Sequence, residues 1–240
     1  MSLKRLAAFL LFILALGIVL GALRGDPARI LVYGDSNSWG WRPNAEAEAR
    51  RLPAAERWPS VMDDALGQDY EVVVDAMNGR TTNVDYAEGW GSHSGEDFNG
   101  QRGLPAAIEG AVPIDLVIIF LGANDLKPEF DRTPQEIAAG AMELATLAAE
   151  QSEAEVLVVV PPALGDISGT PMADGFAGAE AKSRRLPAAF AQAADATGIP
   201  LFTDAAPIDS LDGIHMTAQA HTRVGEAIAD RVREVLPAAD

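Results

Sequence analysis

The chain has no cysteine among its 240 residues. That absence excludes disulfide stapling, thiol catalysis and thiolate metal sites, and leaves the redox compartment open. Positive charge is scarce: 18 Lys and Arg stand against 35 Asp and Glu, a formal net charge of −17. So acidic a chain repels phosphate backbones, which argues against nucleic acid as a partner. Histidine is nearly absent, so any imidazole chemistry falls to His93, His215 or His221. No Gly-Lys-Ser/Thr loop is present to cradle a phosphate.

Charge is missing altogether from one stretch, which opens at Leu6 and closes at Leu23, just after Lys4 and Arg5. As a helix it would reach about 27 Å, close to the apolar thickness of a bilayer. It is apolar all round and begins near the chain start, which fits export better than a buried core helix. The sites for cleavage around Val19-Leu20-Gly21 are mediocre, so a retained anchor is favoured over a cleaved signal. Lys4 and Arg5 would remain cytoplasmic, with the rest periplasmic or on the outer face of the membrane. The chain therefore divides into a signal or anchor over residues 1–24 and one domain over 29–237.

What the sequence has in quantity is apolar residues, 48% of the total, enough for a substantial core. They are grouped in short runs at 29–33, 71–76, 115–121, 155–160 and 200–203. These runs lack polar alternation, as expected of strands covered on both faces in a parallel sheet. Between them lie helical patterns at 54–66, 104–110, 134–151, 180–197 and 217–236. Thr133-Pro134 suits a helix start, with Thr as cap and Pro at the first helical position. The alternation predicts an α/β fold, a three-layer α/β/α sandwich around a parallel five-stranded sheet. Two segments, 85–103 and 163–178, fit neither pattern. They are rich in Gly and polar residues, and read as mobile surface loops or as walls of a binding site.

Three motifs carry the chemistry. Gly34-Asp35-Ser36-Asn37-Ser38-Trp39-Gly40 follows the first apolar run. Ser36 is the candidate nucleophile; the competing reading is that Asp35-Ser36-Asn37 merely caps a helix. Asp212-Gly213-Ile214-His215 offers a base and, three residues earlier, a carboxylate to fix its tautomer. His221, inside the last helix, reads as a surface or packing residue. Candidate oxyanion donors are the backbone N–H of Ser36, the N–H of Gly79 and the side chain of Asn124. Each of these could also be an ordinary turn residue. The grouping decides between the readings: strands one, two and three each deliver a suitable group at the end where parallel sheets bind ligands, and the acid–histidine pair follows strand five.

On these blocks the sequence resembles the SGNH hydrolases, also called the GDSL esterase/lipase family, over residues 29–236. Within the family it is most similar to the bacterial arylesterase and acyltransferase branch. Trp39-Gly40-Trp41, Arg57-Trp58, Arg80-Thr81-Thr82-Asn83, Asn99-Gly100 with Leu104-Pro105, and the run from Gly122 to Lys127 carry that similarity. One departure is Asn37, where the family name has leucine. The resemblance implies a flavodoxin-like fold and a triad of Ser36, His215 and Asp212, with an oxyanion hole from Ser36, Gly79 and Asn124. The expected reaction is hydrolysis of small carboxylic esters through an acyl-serine, with water or an alcohol as acceptor and without metal or organic cofactor. Trp39, Trp41 and Lys127 are the expected substrate-binding residues. Two rival readings are an O-deacetylase or acetyltransferase of envelope polysaccharide or lipid, and a non-catalytic carbohydrate- or lipid-binding module. The sequence leaves open whether the chain forms a homo-oligomer.

Overall fold

A computed structural model describes residues 26–43, 50–204 and 209–237; the apolar segment 6–23 lies outside them. Five strands, β1 (Ala28–Gly34), β2 (Tyr70–Ala76), β3 (Leu116–Phe120), β4 (Glu155–Val159) and β5 (Leu201–Phe202), form one sheet in the order β2-β1-β3-β4-β5. Every pairing is parallel.

Seven α-helices complete the described fold: α1 (Ser36–Trp39), α2 (Trp58–Leu66), α3 (Gly100–Ala111), α4 (Pro134–Ser152), α5 (Ala179–Ser183), α6 (Leu186–Thr197) and α7 (Ala218–Val235). The period-two geometry of a strand explains how a continuous apolar run serves two cores. In β1, Ile30 and Val32 pack with Trp58, Met62 and Ile228 of α2 and α7. Leu31 and Tyr33 point the other way, towards Leu104, Ile137 and Phe190 of α3, α4 and α6. β3 and β4 divide their side chains in the same manner, which gives the three layers. Among the described residues no helix is long and apolar enough to cross a membrane.

The structure departs from the sequence expectations at four places, each with a local cause. β2 is an edge strand, not one covered on both faces, and Val74 is 41% exposed. The single helix expected over 54–66 is a 3-10 turn at Ala54–Glu56 followed by α2. Pro59 lacks an N–H and fits the first turn of α2, so Arg57 is left extended before it. The helix expected over 180–197 splits into α5 and α6 because Pro187 cannot bond back to Ser183, where α5 ends. α3 begins four residues earlier than expected. Asn99 caps it by accepting from Gln101 N at 3.0 Å, and the two glycines in its first turn hid the pattern. Gly103 is required by close approach: a Cβ there would stand 2.7 Å from the Tyr33 hydroxyl, which itself donates to Gly100 O at 2.8 Å.

α4 starts as expected. Thr133 and Glu136 exchange hydrogen bonds as a capping box, with Pro134 at the first position.

Candidate active site

The C-terminal ends of β1, β2 and β3 and the loop before α7 meet at one edge of the sheet. Strand order reverses direction between β1 and β3, which is where open α/β sheets place their ligands. β1 ends at Gly34, and Asp35 caps α1 by accepting from Asn37 N at 2.9 Å. Both readings of this motif therefore hold at once: Asp35 is the cap, and Ser36 opens the helix with its hydroxyl free for other partners. Burial pushes the Asp35 carboxyl up to about 6.

Ser36 Oγ lies 3.0 Å from His215 Nε2, and His215 Nδ1 lies 2.7 Å from Asp212 Oδ2. The second oxygen, Asp212 Oδ1, accepts from the N–H groups of His215 at 2.8 Å and Ile214 at 3.0 Å, and from Ser210 Oγ at 3.1 Å. Burial opposes ionisation of Asp212, but the hydrogen bonds from the His215 ring and from the His215 and Ile214 backbone outweigh it. The carboxyl is held down at about 2. It is thus an anion across the working range of any esterase, with one oxygen committed to backbone and the other to the imidazole. Such an anion fixes Nδ1–H and leaves Nε2 as acceptor for the serine proton.

The residues expected to donate to an oxyanion converge on the same edge. Gly79 follows β2 with φ +84°, and a Cβ there would stand 2.5 Å from the Trp90 ring, so both its conformation and its surroundings call for glycine. Tyr86 Oη donates to Gly79 O at 2.8 Å, and Lys127 Nζ donates to Tyr86 Oη at 2.9 Å. Asn124 follows β3, is buried, and donates through Nδ2 to Arg80 O at 3.1 Å. The next residue, Asp125, accepts from Thr82 N, Thr82 Oγ1 and Arg132 Nη1 at 3.0, 2.5 and 2.7 Å. The loops after β2 and β3 are therefore locked to each other by buried polar contacts.

Ser36, His215, Gly79 and Asn124 line one pocket of about 390 Å³, with Trp41, Trp90, Met172 and Phe176 among its walls. Its size suits a small ligand. Trp41 is in the pocket, 5.9 Å from the His215 ring between centroids; Trp39 is not. Trp39 ends α1, and Gly40 in the left-handed region turns the chain so that Trp41 alone faces the serine. Trp39 packs 6.1 Å behind it, beneath the Arg51 guanidinium. Lys127 also lines the pocket. Burial lowers the pKa of its ammonium, which lies over the rings of Tyr86, Trp90 and Phe176. Both irregular segments contribute walls, through Trp90 and through Met172 and Phe176.

Of the two readings of His221, the structure bears out the packing residue and not the surface one. It is 1% exposed, and its Nδ1 accepts from Trp58 N at 3.1 Å, capping the first turn of α2 from α7. Burial, then the nearby Arg57 charge, lowers its pKa to about 4. No group of three or more His, Asp or Glu side chains that could hold a metal occurs among the described residues.

A serine, a histidine and a carboxylate hydrogen-bonded in line, the first two lining a small pocket, are the arrangement expected of a serine-type hydrolase. The comparisons agree. The sequence matches the GDSL-like lipase/acylhydrolase family over residues 32–223. The chain belongs to that family and is a carboxylic ester hydrolase. It is similar in structure to the inhibitor-bound aryl esterase of M. smegmatis, with 34% identity and a TM-score of 0.80 over 87% of this chain and 100% of that one. It is also similar to Est24, a carbohydrate acetylesterase from Sinorhizobium meliloti, with 34% identity and a TM-score of 0.77 over the same shares. No curated protein sequence matches the chain.

Proposed function

We propose that the protein is a serine esterase acting on small carboxylic esters, aryl or acetyl, through an acyl-serine intermediate. One observation carries the reading: the unbroken chain from Ser36 Oγ to His215 to Asp212, whose first two members line the 390 Å³ pocket. His215 Nε2 takes the Ser36 proton as Oγ attacks the ester carbonyl carbon. The tetrahedral oxyanion is met by Ser36 N–H, Gly79 N–H and Asn124 Nδ2. The carbon–oxygen bond to the leaving alcohol then breaks, and His215 returns the proton to that oxygen. Water enters and gives its proton to His215 as its oxygen attacks the acyl carbon; the bond from that carbon to Ser36 Oγ then breaks, and His215 returns the proton to Oγ as the acid leaves. The apolar walls of Trp41, Met172 and Phe176 favour an alcohol in water's place, which makes acyl transfer a second outcome of the same intermediate.

A carbohydrate acetyl ester is the substrate reading favoured next. Asn78 and Trp90 line the pocket, and Trp90 is 43% exposed, an aromatic face on which a sugar ring can pack. The similarity to a carbohydrate acetylesterase supports the same view. The intermediate is tested by partitioning. Phenyl, 4-nitrophenyl and sugar acetates are hydrolysed with a fixed amount of added alcohol. A common acyl-serine gives one ratio of transfer product to acetate whatever the leaving group. A ratio that changes with the leaving group contradicts it, and loss of all turnover on a catalytic pocket this intact would favour a binding module.

Export is proposed on the charge placement around the apolar stretch from Leu6 to Leu23, with Lys4 and Arg5 on the inner side. Fractionation of cells expressing the full chain tests it: membrane-bound or periplasmic protein supports export, and soluble cytoplasmic protein refutes it.

A further inference from the structure

Asn37, the residue where the family name has leucine, is 3% exposed and directly follows Ser36. Its side-chain amide reaches the loop that carries His215. Nδ2 donates to Ile214 O at 3.2 Å, and Oδ1 accepts from Met216 N at 3.0 Å. Those two backbone groups stand on either side of His215. Among the described residues, the only other hydrogen bond from α1 to this loop is the Ser36–His215 contact itself.

We propose that Asn37 is a positioning residue of the esterase, setting the place of the His215 imidazole relative to Ser36; this rests on the triad reading above. The loop has reason to need such a clamp. It runs between Ser210 and Met216, whose backbones meet in an isolated antiparallel bridge, and it turns at Gly213 with φ +80°. Asp212 holds the ring from behind at Nδ1, which fixes tautomer and tilt. It does not fix the loop against α1, because Asp212 belongs to the loop and moves with it. Asn37 belongs to the nucleophile's own helix. Its two bonds tie the His215 backbone to the Ser36 backbone from both sides, so the gap from Oγ to Nε2 is held through a short, rigid path. The imidazole must stay in reach of Oγ in attack and of the leaving oxygen afterwards, and an error of 1 Å in such a contact costs about 10²-fold in rate.

The test compares the full chain with Asn37→Leu, Asn37→Asp and Ser36→Ala on 4-nitrophenyl acetate, well below the melting temperature of each. Leucine is the residue of the family name, so the fold accommodates its shape, but both loop backbone groups lose their partner. Asn37→Leu is expected to lose about 10- to 100-fold in kcat, with KM within about threefold of the parent. The low-field proton resonance of His215 Nδ1–H should broaden or shift. If the leucine variant does not fold, Asn37→Asp keeps the acceptor for Met216 N and loses the donor to Ile214 O. It should likewise lose kcat at nearly constant KM. A purely structural role would lower the melting temperature and leave kcat and the resonance of the folded protein unchanged, and that result overturns the proposal. An active Ser36→Ala would instead overturn the triad reading on which it rests.

Discussion

Replacing Asp212 with asparagine should nearly abolish turnover while leaving the fold in place, and the hydrogen bonds say why. Oδ1 is surrounded by donors: His215 N, Ile214 N and Ser210 Oγ. An asparagine must put its carbonyl oxygen there, because an NH2 group would face those donors. Its NH2 is then forced into the place of Oδ2, 2.7 Å from His215 Nδ1. A donor at that point requires Nδ1 to be the acceptor, so the ring proton moves to Nε2. Nε2–H would point at Ser36 Oγ and could not take its proton. The expected loss is about 10⁴-fold in kcat, the effect of the same exchange in a serine protease triad and equivalent to about 5–6 kcal/mol of barrier. Stability should fall less. The folded carboxyl at about 2, against 3.8 as an unfolded reference, corresponds to about 2–3 kcal/mol. That contribution is present above pH 4 or so and is lost as pH falls through the folded value. The assay is initial-rate kinetics on an aryl acetate, with circular dichroism on the same samples. A folded Asp212→Asn enzyme retaining more than about a tenth of kcat would refute the tautomer argument.

Asn124→Ala should lower kcat by about 10²–10³-fold with a smaller change in KM, as expected when one oxyanion donor is removed; a pure KM effect would show that Asn124 binds ground-state substrate instead. His221 makes a prediction about stability. Its folded value of about 4 lies below the 6.5 of an unfolded histidine, so the unfolded chain takes up the proton first as pH falls through that window. Stability from this group is complete above the unfolded value and shrinks by about 3 kcal/mol towards pH 4. Asp35, pushed up to about 6, acts in the opposite sense over much of the same range, so the parent alone does not isolate the effect. Urea unfolding of parent and His221→Gln from pH 4 to 8 does: the gap between them should close as pH falls, and a constant gap contradicts the assignment.

The residues that follow an apolar run were legible. Ser36, Gly79 and Asn124 each come just after a strand, and in a parallel sheet those ends share one edge. His215 and Asp212 were legible as a pair because they stand only three positions apart. Residues that act across the chain were not. Asn37 meets partners 177 and 179 positions away, and His221 caps a helix 163 positions away. Neither contact leaves a local pattern. Trp39 and Trp41 looked equivalent because the left-handed turn at Gly40, which sends one into the pocket and the other behind it, does not show in residue type. The valines of β2 looked doubly covered because edge position depends on strand order, a property of the whole sheet.

The account's central claim is that Ser36 carries the acyl group. Incubating the full chain with a fluorophosphonate ester, digesting it and mapping the adduct by mass spectrometry tests this most directly. The account predicts one phosphonyl group per chain, attached to Ser36, with labelling lost in Ser36→Ala and strongly slowed in His215→Ala. An adduct on another residue, or labelling at the parent rate without the Ser36 hydroxyl, would contradict it.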